Sequence, residues 1–195
     1  MPKTIDFCFD FVSPTTFLAH KRMPGLIKRT GAEVRYMPVF LGGIMKASGN
    51  SPPFGVAAKA AYMIRDLARF AQRDGIEYNP NPFFPINTLP LMRIATALEG
   101  DERFMPFVEA MFDAIWKRSL NLGDADVLAS AIDDAGLASR SLLPLANDQR
   151  AKDVLKGNTE VAAARGMFGV PTFFVDDEMF FGQDRMDFVE EYALR

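Results

Sequence analysis

Two short stretches of the chain carry residue types able to do chemistry. In Ser13-Pro14-Thr15-Thr16 a serine stands at a helix-capping position with proline in the first turn behind it. Unpartnered N–H groups and the positive end of the helix dipole favour an anion at such a point. The Ser13 hydroxyl is therefore suited to hydrogen-bond a thiolate carried in by a ligand, although the same residues also describe an ordinary helix cap. The second stretch, Gly169-Val170-Pro171-Thr172, directly precedes a strand. A cis bond at this proline would expose the N–H and C=O of Val170 to an extended, peptide-like ligand; the plainer reading is a trans proline opening an edge strand.

Other chemistries are excluded by what is missing. A single cysteine, Cys8, permits neither an internal disulfide nor a Cys-x-x-Cys pair, and a single histidine, His20, leaves too few ligands for a His/Cys zinc site. No Gly-x-Ser-x-Gly turn supports a serine hydrolase. Cys8 sits between phenylalanines and is expected to be buried and inert, and His20 to be structural or at the surface. The formal net charge is −3 with no basic run, so neither nucleic acid nor an anionic membrane surface is an expected partner. The N-terminus reads as a strand rather than a signal peptide, and no apolar stretch is long enough to span a membrane, which points to the cytoplasm.

Several elements must position these residues. Ile5, Phe7, Phe9 and Phe11 alternate with Asp6, Cys8 and Asp10 as a first strand, a helix follows from Pro14 to Thr30, Gly31 ends it, and Ala32 to Phe40 reads as a second strand. Between about residues 45 and 165 strand signals give way to helical periodicity. Val56 to Arg73 forms one stripe, Phe104 to Ile115 a second, and Asp124 or Asp126 caps a third helix ending at Gly136. The charged residues Arg65, Asp66, Arg69 and Arg73 form a solvated face of the first of these helices. Asn79 to Pro90, with four prolines, is expected to be an extended, rigid loop. Pro171 to Val175 and Glu178 to Phe181 then read as a hairpin turning at Asp176-Asp177, and Asp184 is expected to cap a final helix from Arg185 to Leu194.

The order β-α-β, helices, β-β-α is that of an α/β, thioredoxin-like fold, with residues 1–44 and 166–195 forming the thioredoxin-like part and 45–165 a helical insertion. In that fold Ser13 takes the place of the reactive thiol, and Pro171 that of a cis proline. The segments Phe9-Asp10-Phe11-Val12-Ser13-Pro14, Leu41 to Lys46 with Ser48-Gly49-Asn50-Ser51-Pro52-Pro53, Gly169 to Phe173, and Phe181-Gly182-Gln183-Asp184-Arg185 resemble the 2-hydroxychromene-2-carboxylate isomerases. These are relatives of kappa-class glutathione transferases and DsbA-like oxidoreductases.

The resemblance implies glutathione as cofactor and Ser13 as the residue that activates its sulfur. It further implies Asn50 at the glutathione backbone or glycyl end, Lys59 on a glutathione carboxylate, the Val170 backbone before cis Pro171 on the cysteinyl part, and Gln183 with Asp184 on the γ-glutamyl group. Lys46 and Asn87 are candidate contacts for a small aromatic substrate. Thr15 and Thr16 stand where relatives commonly carry an aromatic residue, so an altered substrate pocket is expected; Phe180 and Phe181 close a strand in which relatives often have tryptophan. The implied activity is glutathione-dependent interconversion of 2-hydroxychromene-2-carboxylate and trans-o-hydroxybenzylidenepyruvate, or of a related aromatic keto acid, by a homodimer. A kappa-like glutathione transferase or peroxidase is one alternative; a non-enzymatic peptide-binding module is another.

Overall fold

A computed structural model describes residues 3–195; Met1 and Pro2, which fall in the N-terminal part of the expected thioredoxin-like unit, lie outside the described residues. Four strands, β1 (Thr4–Phe9), β2 (Glu33–Pro38), β3 (Thr172–Val175) and β4 (Glu178–Phe181), form one sheet in the order β2-β1-β3-β4. β1 pairs parallel to β2 and antiparallel to β3, and β4 returns antiparallel to β3. The alternation in β1 sends Ile5, Phe7 and Phe9 to one face, where α1 (Pro14–Thr30), α5 (Phe104–Trp116) and α9 (Met186–Ala193) cover them. The opposite face carries Cys8 and Phe174 and packs beneath α2 (Leu41–Ser48) and α8 (Gln149–Ala164). Burial lifts the Cys8 thiol to about 12, in keeping with an inert sulfur.

The expected elements form with small shifts. Ser13 caps α1, its Oγ accepting from the Thr16 N–H at 3.2 Å, and Gly31 closes the helix at φ +66°. The Val56–Arg73 stripe is α3 (Ala57–Asp74), the Phe104 stripe is α5, and Asp124 caps α6 (Ala125–Asp134) through the N–H groups of Asp126 and Val127. Three helices were not foreseen as such: α2, α4 (Leu89–Ala97) and α8; a single-turn α7 (Ser139–Leu142) joins them. Pro90, expected in the extended loop, instead lies in the first turn of α4, where its missing N–H costs nothing. The expectation that Asp184 caps the last helix is corrected. Gln183–Arg185 form a short 3-10 turn behind Gly182, and α9 starts at Met186 with no side-chain cap, the Asp184 carboxylate instead meeting Arg185 at 3.1 Å.

One hydrophobic core runs without a break from β1 and α1 through α3, α4, α5, α6 and α8 to β3 and α9. Phe112 of α5 packs tilted against Phe9 and edge-on against Phe11, and the Trp116 indole N–H donates to the Phe11 carbonyl at 2.8 Å. His20 is buried in this region between Tyr36, at 2.9 Å from Nδ1, and Glu109, at 2.6 Å from Nε2. The His20 hydrogen bond, helped by Lys21, holds the Glu109 carboxyl down at about 2. Among the described residues no helix is long and apolar enough to cross a membrane.

Candidate functional site

The start of α1 faces the loop before β3. Val170-Pro171 is cis, and the Val170 carbonyl lies 3.3 Å from Ser13 Oγ and 3.4 Å from Thr15 Oγ1. The two hydroxyls are themselves 2.8 Å apart. The Val170 N–H has no partner among the described residues, so it is free for an extended ligand. Behind it the Pro171 carbonyl accepts from the Gly182 N–H at 2.9 Å, which ties the Val170 loop to the turn after β4.

These groups open into a cleft of about 630 Å³. Its lining brings polar groups of Ser13, Thr15, Asn50, Val170, Gln183 and Asp184 together with apolar side chains, among them Met45, Phe54, Met63, Phe70, Phe84 and Ile86. The Phe54 and Phe84 rings meet at 4.8 Å, and Phe84 leans on Trp116. Phe84 is held where it is by the Pro-rich loop, whose Phe84-Pro85 bond is also cis and whose buried Asn81 amide donates to the carbonyls of Ile115 and Leu120, both at 2.9 Å.

The expected site residues thus converge, with two exceptions. Ser13, Asn50, Asn87, Val170, Gln183 and Asp184 line the cleft, and Pro171 stands just behind Val170. Lys46 and Lys59 do not line it and are exposed. Each nevertheless extends a helix stripe that does: Lys59 lies one turn before Met63, Asp66 and Phe70, and Lys46 one turn after Gly42. Asn50 is partly committed. Its Nδ2 donates to the Phe168 carbonyl at 2.8 Å and its Oδ1 accepts from the Ser51 N–H at 2.8 Å, leaving one amide hydrogen for a ligand. Asn87 Oδ1 accepts from the Leu89 N–H at 3.2 Å.

Two glycines shape the wall. Gly182 has φ +103°, a backbone conformation that residues with a Cβ rarely adopt, and a Cβ there would also displace the Asp184 carboxylate, which it would approach to 2.5 Å. A Cβ on Gly169 would fall 2.8 Å from the Phe181 ring, which covers that backbone and packs on Phe168 at 4.5 Å.

Three residues not singled out as functional bear on the site: Arg22, which holds Gln183, and the cleft-lining Asp66 and Asp10. Gln183 is buried, and its Oε1 accepts from Arg22 Nη1 at 3.0 Å while the same nitrogen holds the Gln183 carbonyl at 2.6 Å. Since arginine only donates, the Gln183 Nε2 is the end left over for a ligand. Asp66, assigned to a solvated face, lines the cleft. Asp10 is 1% exposed and no cation pairs with it among the described residues; its carboxyl accepts from the Val12 N–H (3.1 Å), the Leu41 N–H (3.0 Å) and the Thr88 hydroxyl (2.6 Å). Burial pushes its carboxyl above the usual range against the pull of those three hydrogen bonds. Its placement on the strand face opposite the phenylalanines was the available signal. The residues lining the cleft therefore include three carboxylates, Asp10, Asp66 and Asp184, and neither lysine nor arginine. A second groove, of about 440 Å³ between α4 and α8, is lined by Thr96, Glu99, Asp148 and Arg150 and holds none of the expected residues; burial raises Glu99 there to about 7.

Comparison with known proteins agrees with this fold. The family model of the DSBA-like thioredoxin domain matches residues 4–193. A 2-hydroxychromene-2-carboxylate isomerase from Sphingobium xenophagum is 34% identical over the full length of both chains, and glutathione S-transferase kappa 1 from Caenorhabditis elegans is 28% identical over 98% of this chain and 92% of its own. The solved structure of a selenomethionine 2-hydroxychromene-2-carboxylate isomerase superposes with a TM-score of 0.86 at 28% identity, covering 96% of this chain and 93% of that one. The chain belongs to the DSBA-like thioredoxin family, in the group that contains the 2-hydroxychromene-2-carboxylate isomerases and the kappa-class glutathione transferases.

Proposed function

We propose that the protein is a glutathione-dependent isomerase that interconverts 2-hydroxychromene-2-carboxylate and trans-o-hydroxybenzylidenepyruvate, or a closely related aromatic keto acid. The observation that carries this reading is the meeting of Ser13 at the N-terminus of α1 with the Val170 backbone, in a cleft also lined by Phe54, Phe70 and Phe84. When bound, glutathione supplies a thiolate for reversible addition to a conjugated double bond. A free thiol has a pKa near 8.5 and is only a few per cent ionised at neutral pH. The Ser13 hydroxyl and the N-terminus of α1 raise that fraction by stabilising the negative charge on sulfur.

The other residues hold and orient. The Val170 N–H and C=O pair with the cysteinyl backbone as a strand would. The free amide hydrogen of Asn50 meets the glycyl end, and Lys59 reaches its carboxylate from the rim. Gln183 donates to the γ-glutamyl carboxylate and Asp184 accepts from its ammonium. Phe54, Phe70 and Phe84 take the planar substrate and exclude water, while Lys46 and Asn87 lie at the rim for its carboxylate. We assign the protein to the cytoplasm, as a homodimer.

The test is conversion of 2-hydroxychromene-2-carboxylate by the purified protein, followed by absorbance with and without glutathione, with free thiol counted at the end. Conversion that requires glutathione and consumes none is expected. Loss of thiol in step with turnover would replace this reading by a kappa-like transferase. Extended peptides that bind where glutathione does not would replace it by a peptide-binding module.

A further inference from the structure

The Ser13 hydroxyl does not stand alone. Thr15 Oγ1 lies 2.8 Å from it, and the two oxygens are 3.3 and 3.4 Å from a single acceptor, the Val170 carbonyl. The two hydroxyls thus cluster at one point beside the start of α1, one hydrogen serving the contact between them and the other left for the carbonyl, and both side chains line the cleft. Thr15 is the second residue of α1, so its Cα is fixed by the helix, and the β-branched side chain has few rotamers with which to turn away. Ser13 Oγ already accepts from the Thr16 N–H, which leaves its own hydrogen to donate.

The charges around this point make a second donor consequential. Asp10, Asp66 and Asp184 line the cleft, Asp66 paired with Arg69 at 3.3 Å and Asp184 with Arg185 at 3.1 Å, and no lysine or arginine lines it, so the donors placed beside a negative sulfur here are neutral ones. When a ligand N–H occupies the Val170 carbonyl, the two hydroxyls beside that carbonyl become available to the sulfur. We propose that Thr15 is a second catalytic hydroxyl, donating with Ser13 to the ligand's sulfur. This rests on the glutathione reading and adds to it a residue at a position where the related proteins commonly have an aromatic side chain. One consequence is that loss of either hydroxyl leaves the other in place, so the single variants are expected to be weakened rather than dead.

The experiment compares wild type, Thr15→Val, Thr15→Ser, Ser13→Ala and the double variant Ser13→Ala/Thr15→Val by the pH titration of thiolate absorbance in bound glutathione, with glutathione affinity from calorimetry. Thr15→Val keeps the β-branched shape and removes only the hydroxyl, and its thermal midpoint checks that it is folded. The expected result is a bound-thiol pKa raised by about one unit in Thr15→Val, restored in Thr15→Ser, and raised further in the double variant than in either single one, with affinity changed by less than about threefold. A Thr15→Val titration that superposes on wild type, or a double variant no worse than Ser13→Ala, overturns the proposal while leaving glutathione activation by Ser13 intact. A wild type that shows no glutathione-dependent thiolate signal overturns the glutathione reading itself, and this proposal with it.

Discussion

Replacing Asp10 with alanine is expected to loosen the floor of the cleft and lower stability by about 2 kcal/mol. The carboxyl serves donors from three segments: the Val12 N–H in the turn before α1, the Leu41 N–H at the first residue of α2, and the Thr88 hydroxyl just ahead of α4. Each buried donor left without an acceptor costs about 1 kcal/mol or more, and release of the carboxyl from burial returns roughly 1 kcal/mol of the resulting total. For a chain of 195 residues the net corresponds to a fall in Tm of about 4–8 °C. A pH arm isolates the carboxyl. Burial raises its pKa in the folded state above the ordinary aspartate value of 3.8, so the folded protein keeps a proton that the unfolded chain has lost, and stability falls as pH rises through that interval. Urea melts from pH 4 to pH 8 should show this decline in the wild type and a smaller one in Asp10→Asn, which cannot titrate. An unchanged midpoint in Asp10→Ala, or parallel pH profiles for wild type and Asp10→Asn, would refute the reasoning.

Glu109 acts in the opposite sense: with a folded pKa near 2 against 4.5 unfolded, its contribution is present above pH 4.5 and is lost as pH falls toward 2. Because the carboxylate is half exposed the effect is discounted to about 1 kcal/mol, to be seen as a flatter acid-unfolding curve in Glu109→Gln. Gly182→Ala should cost about 1–3 kcal/mol, since φ +103° strains any residue with a Cβ, and should weaken glutathione binding by calorimetry by displacing the Asp184 carboxylate. Cys8, buried with its thiol raised to about 12, should resist iodoacetamide until the protein unfolds, and the protein should fail to reduce insulin disulfides; modification of the native protein at neutral pH would contradict its placement. Light scattering at micromolar concentration should give twice the 21.7 kDa chain mass, and a monomeric mass would remove the homodimer.

Elements built from local rules were legible in the sequence, and those built from distant contacts were not. The first strand, α1 and the β3–β4 hairpin follow from alternation, from Ser13-Pro14 and Gly31 at the helix ends, and from the Asp176-Asp177 turn, where Asp176 adopts φ +55°. α2 escaped notice because Gly42 and Gly43 sit in its first turn and Phe40 offers no capping side chain; the group that receives its first N–H is Asp10, thirty-one residues away. α4 was hidden by Pro90, which breaks a helix interior but suits a first turn. At the site, the hydroxyl, amide and carboxyl residues matched in register were found one by one. Their mutual arrangement, such as Arg22 turning the Gln183 amide or Thr15 meeting Ser13, depends on side-chain directions that spacing alone does not specify.

The unbroken core also decides how a ligand can come and go. Where a cleft separates two independently packed bodies, they can swing apart about a hinge. Here Phe112 is wedged against Phe9 and Phe11, and Trp116 is bound to the backbone of Phe11, so the helical wall cannot swing from the sheet without tearing the packing that holds the fold. The part of the rim free to lift is the largely exposed stretch from Gly49 to Val56, tied across the cleft mouth by the Asn50 contact to the Phe168 carbonyl. That stretch has two side-chain fastenings, the Asn50 hydrogen bond and the Phe54–Phe84 ring contact at 4.8 Å, so a ligand can pass when these two part while the surface that meets the sulfur stays fixed.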